Sequence, residues 1–358
     1  MCTRQENRKA RIGFIGCGNF STGNLYPTIP TIPEIDLVAV CDLKEELAKR
    51  NARNFGAKRW YTDLEKMLSE EQLDGVAIVG LPKMHYEIGK RCLDAGLPIY
   101  VEKPSANTYK EALELAEYAK NRGLFGIVGF MKRHSTCYRM AKAITEKEEF
   151  GKINEIEVRF ANGRYPNLNK LGWGLPVESP SYSFLIGQAV HILDLVRFFC
   201  GEVKEIYASL NDVEGTDEWG IFGYAITVTF RNGTVGTINL NATQCPDFQM
   251  SEYFFAAGNE CWLEVRDMME LNYHPRKKPM SEFNPEGRAQ IFSWRPEFTE
   301  IGASTAGGLI GYKGEMQNFA KSLLGLEKPV ADLFDGAKAL QIAEAIWESA
   351  QSKKVIKL

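Results

Sequence analysis

RIGFIGCGNFS (residues 11–21) runs mostly apolar to Ile15 and then breaks into Gly16-Cys17-Gly18-Asn19-Phe20-Ser21. The first half reads as a buried strand. The second half is G-x-G-x-x-S, with serine at the third small position. Gly16 permits a tight turn, and Gly18 lets backbone N–H groups approach a pyrophosphate. Asn19 and Phe20 complete the candidate cofactor loop. Glycine-rich strand ends are common, so an ordinary tight turn fits the same letters, and context has to separate the two.

The context is a βαβ series. DLVAVCD (36–42) is a second strand closed by Asp42, 24 residues after Gly18 (42 − 18). That is near the spacing of about 20 expected for the acid that binds a ribose 2′-hydroxyl. A carboxylate there repels a 2′-phosphate, which favours NAD, with NADP the alternative because Lys44 partly offsets the repulsion. A charged helix over 43–56 stops at Gly56. GVAIVGL (75–81), PIYVEK (98–103) and LFGIVGF (124–130) are further apolar runs. Between them, 84–96 and 108–123 read as helices, the second carrying Ala112, Leu115, Ala116 and Ala119 on one stripe. Continuous apolar strands separated by helices predict a parallel sheet covered on both faces, a doubly wound Rossmann domain over 1–130.

Beyond about residue 150 the period changes. EIEVRF (155–160) alternates, and YAITVTFRNGTVGTINLNAT (224–243) alternates on both sides of Asn232-Gly233, a strong hairpin signal. Residues 253–265 read as another strand pair. Helices are expected over 184–201 and 331–354. Residues 131–358 therefore form an α+β domain on a large, mostly antiparallel open sheet, with 331–354 as a segment able to pack back toward the first domain. An open sheet face also leads us to expect a homodimer or homotetramer. Residues 161–183, rich in Gly, Pro, Asn and Ser, read as one long loop.

The bulk numbers set limits. The chain has 358 residues, 44% hydrophobic and 25% charged, with a formal net charge of −3. This gives no reason to expect nucleic-acid or acidic-membrane binding. No apolar run was read as long enough for a membrane helix, and MCTRQENRKARIG lacks the apolar stretch of a signal peptide. Eight cysteines without a C-x-x-C fit reduced thiols in a cytoplasmic protein. The four histidines are too scattered to suggest a metal.

LPIYVEKPSANT (97–108) delivers Glu102 and Lys103 at a strand end. Pro104 holds Lys103 extended. The ammonium is either a solvent anchor or a group acting on a substrate oxygen, and the stretch alone leaves both open.

RIGFIGCGNF, VCD, GLPKMH, DAGLPIYVEKP and VGFMKRH, in this order and spacing, resemble the glucose–fructose oxidoreductase / inositol dehydrogenase / MocA family. GKINEIEV, HILDLVRFFCGEVKEI, VTFRNGTVGTI and the closing GYKGEMQNFAKSLLG…IKL are similar to its second domain. The resemblance implies that Lys103 is catalytic and that the Lys103–Pro104 bond is cis. It places Pro82, His85, Glu102 and Lys103 with the cofactor. It pairs His191 with Asp194: His191 is either the proton acceptor or a packed helix histidine, and Asp194 orients its helix or a neighbouring loop. The acidic residue the family carries four positions before that histidine is Gly187 here, a departure expected to leave space where the carboxylate would stand. Gln188 matches a glutamine of some branches. Lys132, Arg133 and His134 lie where the family often contacts substrate. Tyr165 and Trp173 either line a sugar pocket or pack a loop.

The implied activity is hydride transfer between nicotinamide and a hydroxyl or carbonyl carbon of a small-molecule sugar, cyclitol or sugar derivative. Two alternatives stand beside it. One is a non-catalytic NAD-binding regulator. The other is an enzyme using bound NAD transiently for glycoside cleavage or epimerisation.

Overall fold

A computed structural model describes residues 8–213, 218–243, 251–278, 287, 290–296 and 308–358. Most of the segment read as lacking a leader's apolar stretch lies outside these residues, as do Cys2 and Cys245. The chain divides into two compact units, Met1–His134 with Ile301–Leu340, and Ser135–Glu300 with Gln341–Leu358.

The first unit is built on six strands: β1 (Ala10–Ile15), β2 (Ile35–Cys41), β3 (Arg59–Tyr61), β4 (Gly75–Ile78), β5 (Ile99–Val101) and β6 (Gly126–Val128). All pair in parallel in the order β3-β2-β1-β4-β5-β6. The order reverses between β1 and β4, which leaves a crevice at their carboxyl ends, the place where open α/β sheets bind ligands. The expected helices form at Glu45–Phe55, Pro82–Asp94 and Tyr109–Asn121. Gly56 ends the first in the left-handed region, and Thr108 caps the third through the Glu111 N–H. Ala112, Leu115, Ala116 and Ala119 are all buried, as their spacing requires. The segment after β1 is not a regular α-helix. It is a π-turn over Ser21–Leu25 and a 3-10 stretch over Tyr26–Thr31, because Pro27 and Pro30 cannot donate to a continuous ladder.

Residues far along the chain complete this unit. The helix Tyr312–Leu323 places Met316, Phe319 and Ala320 in one core with Ile12, Phe14, Tyr26, Ala77 and Tyr100. Val128 N–H donates to the Ala331 carbonyl, which occupies part of the β6 edge. The last helix, Leu333–Ser352, belongs to this unit as far as Leu340 and to the second beyond it.

The second unit holds a ten-stranded sheet, antiparallel except where Glu155–Ala161 pairs in parallel with Val235–Asn241. Burial alternates along Glu155–Ala161, Trp219–Phe230 and Val235–Asn241, one face inward and one outward. The expected hairpin joins Trp219–Phe230 to Val235–Asn241. Only Gly233 of its turn has positive φ, so this is a longer turn with a glycine bulge rather than the two-residue form.

Two expectations need correction here. Residues 161–183 are not one loop. Tyr165–Pro166 pairs with Trp219–Gly220, Leu168–Leu171 is a 3-10 turn, and the Asn169 side chain bonds Leu175 and Val177. The following helix begins at Pro180, capped by Ser179, rather than at 184. With its continuation to Cys200 this run is 21 residues long and apolar enough to cross a membrane, contrary to the sequence reading. It is mostly buried, as a core helix is.

Candidate active site

The glycine loop and its acid form a single hydrogen-bonded unit. Gly16 has φ +99°, and a Cβ there would lie 1.9 Å from the Val79 carbonyl oxygen, so no other residue fits. Gly18 is different, since among the described residues an added Cβ would meet nothing within 4 Å. Neither packing nor φ calls for glycine at 18; the bare backbone borders open space where a pyrophosphate can approach. The Ser21 hydroxyl donates to the Gly16 and Gly18 carbonyls and holds the turn. Asp42 accepts from the Cys17 N–H at 2.8 Å through Oδ2 and from the Lys44 N–H at 2.8 Å through Oδ1. Each oxygen keeps a lone pair for a ribose hydroxyl. Asn19 and Phe20 open the helical turn after the loop, and the Phe20 ring meets Tyr312 edge-on. The donor set, the open approach at Gly18 and the acid beside the loop fit a dinucleotide.

Lys103 follows β5 at the carboxyl edge of the same sheet, and its bond to Pro104 is cis. The lysine is half-buried. Burial lowers its pKa, while the neighbouring Glu102 carboxylate pushes it back up. The Glu102 side chain is turned inward, hydrogen-bonded to the Tyr100 hydroxyl and to the Lys103 N–H. It therefore acts on Lys103 through charge.

His85 is likewise committed to protein partners. Its Nε2 accepts from the Gly80 N–H at 3.1 Å, so Nδ1 carries the proton and donates to the Pro104 carbonyl at 2.8 Å. Both ring nitrogens are spent and the ring is buried, so His85 positions the Lys103–Pro104 turn and has none left for a ligand. Burial lowers its pKa to about 4, keeping the imidazole neutral. Pro82 opens the helix that carries His85.

The three basic residues after β6 separate in role. Lys132 is buried and close enough to Lys103 to lower its pKa. Arg133 reaches the Asp335 carboxylate with both Nη atoms at 3.1 Å, and Nη1 also donates to the Val330 carbonyl. It is a strut to the returning chain. His134 packs against the backbone of the helix Tyr312–Leu323 at Gly314.

In the second unit, His191 lies in the first turn of the helix Val190–Cys200 and is buried, as is Asp194. Immediately before it the chain makes a π-turn over Leu185–Ala189 containing Gly187 and the half-buried Gln188. Simple i, i+4 spacing from Gly187 to His191 therefore does not apply. The expected empty space at Gly187 is absent as well. A Cβ on Gly187 would lie 2.6 Å from the Tyr165 hydroxyl and 2.7 Å from Leu168 Cδ1. Tyr165 is buried against Phe184, and burial raises its pKa. Trp173 is half-buried just past the 3-10 turn.

Two residues of this region escaped the sequence reading. Tyr100 and Glu315 are both fully buried beside Glu102. Glu315 shares a helical stripe with Phe319 and Leu323, and an acid on an apolar stripe is the signal that marks it.

The model of the oxidoreductase family with an NAD-binding Rossmann fold matches residues 10–130, and that of the GFO/IDH/MocA C-terminal domain matches 138–260. The chain belongs to this family and is an NAD-binding oxidoreductase. It is 26% identical over 344 residues to inositol 2-dehydrogenase 2 of Saccharopolyspora erythraea, covering 94% of this chain and 92% of that one. It is 24% identical over 241 residues to the NAD-dependent scyllo-inositol 2-dehydrogenase of Bacillus subtilis, covering 66% and 68%. In fold it is similar to a dehydrogenase from Chromobacterium violaceum, with a TM-score of 0.83 at 21% identity over 97% of this chain and 96% of that one.

Proposed function

We propose that the protein oxidises a secondary alcohol carbon of a sugar, cyclitol or related polyol, or reduces the matching carbonyl. The observation that carries this is Lys103: a desolvated ammonium at the carboxyl edge of the nucleotide sheet, held by the His85–Pro104 bond and faced by Glu102. The inositol dehydrogenases among its relatives support the substrate class. Gly16, Gly18, Asn19, Phe20 and Asp42 hold the cofactor. NAD, when bound, supplies the hydride acceptor or donor at nicotinamide C4. Lys103 donates a hydrogen bond to the reacting oxygen and stabilises the charge that develops there. The family resemblance supports His191 as the group that takes the hydroxyl proton.

The test is Lys103→Ala, assayed for NAD binding and for turnover on a panel of inositols and sugars. NAD binding is retained and turnover falls at least about 100-fold. Unchanged turnover removes Lys103 from the mechanism.

A second reading, a non-catalytic NAD-binding regulator, is favoured by one observation: Tyr165 and Leu168 occupy the place of the family's acid. Tight NAD binding with no turnover on any member of the panel selects it.

A further inference from the structure

Behind Lys103 the first unit encloses a polar cluster, of which the proposed reaction uses only the charge of Glu102. The Tyr100 hydroxyl lies 2.8 Å from Glu102 Oε1 and 2.9 Å from Glu315 Oε1. All three side chains are buried. Gly129 closes the space above them, since a Cβ there would lie 2.5 Å from the Tyr100 hydroxyl and 2.7 Å from Glu102 Oε1.

A phenol has one proton to give, and an ionised carboxylate only accepts. With both acids ionised, one of the two contacts would press lone pair against lone pair. One carboxyl must therefore carry a proton and donate it to the phenol oxygen, while the phenol donates to the other. The surroundings decide which. Glu102 has a second donor, the Lys103 N–H at 3.1 Å on Oε2. Glu315 Oε2 is buried and, among the described residues, has no hydrogen-bond partner. An anionic oxygen without a donor is far costlier to bury than a neutral carbonyl oxygen.

We propose that Glu315 is a neutral carboxylic acid in the folded protein, and that Glu315, Tyr100 and Glu102 form a hydrogen-bonded chain that holds one proton beside Lys103. Burial raises the pKa of both acids, Glu315 well above its ordinary range. The groups facing the cluster are Tyr100, Glu102 and Lys103 at β5, Lys132 after β6, Tyr312 and Glu315 on the helix Tyr312–Leu323, and the neutral His85 beside Lys103. With Glu315 neutral, one carboxylate faces two ammonium groups. A second carboxylate would clamp the proton on Lys103; its neutralisation leaves that proton easier to move. Glu315 is thus a positioning residue that acts on Lys103 through Tyr100 and Glu102. Its importance for turnover rests on the role proposed for Lys103, whereas its charge state does not.

The test uses the full chain without substrate or cofactor, so a failure of the catalytic reading leaves it intact. Thermal unfolding of the wild type and of Glu315→Gln is followed from about pH 5 to about pH 9. The unfolded chain releases the Glu315 proton above about pH 4.3, while the folded chain keeps it, so the wild type loses stability as pH rises. The glutamine variant has no such proton, and its Tm relative to the wild type climbs across this range. In parallel, the infrared carbonyl stretch of a protonated carboxyl is present in the wild type at neutral pH. It is lost in Glu315→Gln and kept in Glu102→Gln. A Tm difference that stays flat or falls with pH overturns the proposal, as does a band that vanishes in Glu102→Gln instead.

Discussion

The Tyr165 hydroxyl stands 2.6 Å from the point where a Cβ on Gly187 would lie, so the side chain at 165 occupies the volume that a residue at 187 would claim. Glycine at 187 is the complement of tyrosine at 165, and Leu168 Cδ1 lies 2.7 Å from the same point.

Restoring the family's acid with Gly187→Asp should therefore harm this protein. The aspartate must displace the Tyr165 ring from its edge contact with Phe184. Overpacking of this kind costs about 1–3 kcal/mol. A lower Tm in Gly187→Asp, partly recovered in the double variant with Tyr165→Ala, is the expected result. An unchanged Tm in the single variant would show that the site yields freely.

His85 gives a pH prediction with a definite sign. Its pKa is about 4 folded against about 6.5 unfolded. A depressed pKa means the unfolded chain binds more protons between these values, so the contribution is complete above about pH 6.5 and is lost as pH falls toward 4. The full loss is about 3 kcal/mol. The fall in Tm from pH 7 to pH 5 should be smaller in His85→Ala than in the wild type. That variant should also be less stable at pH 7, because the Gly80 N–H and the Pro104 carbonyl lose their partner, at about 1–3 kcal/mol each.

Asp42 joins two tasks that are separable by substitution. Asp42→Ala removes the acceptor for the Cys17 and Lys44 N–H groups and the candidate ribose acceptor together. Asp42→Asn keeps an oxygen for one of those N–H groups but loses the charge. Titration with NAD and NADP should show weaker NAD binding in both variants. NADP binding relative to NAD should improve in both, because the repulsion of a 2′-phosphate is gone. Unaltered cofactor preference would exclude Asp42 from the ribose site.

Much of the nucleotide unit is legible in the sequence because its signals are local. Apolar strands, the Gly56 stop and the Ala112–Ala119 stripe each depend on neighbours within about a turn or a strand. The site is less legible because its decisive contacts are remote. Nothing near Gly187 announces that Tyr165 and Leu168 fill the space beside it. The π-turn before His191 shifts the helical register that a four-residue spacing assumes. Glu315 meets Tyr100 across 215 residues of chain. His85 reads as a helix residue beside the cofactor until its two bonds to Gly80 and Pro104 are seen.

The core of the nucleotide unit draws Met316, Phe319 and Ala320 from the far end of the chain. During synthesis, the Gly16–Ser21 loop and Asp42 emerge early, yet the sheet that presents them lacks one flank until the helix Tyr312–Leu323 leaves the ribosome. The core beside the dinucleotide loop is therefore complete only when residues far downstream have joined it.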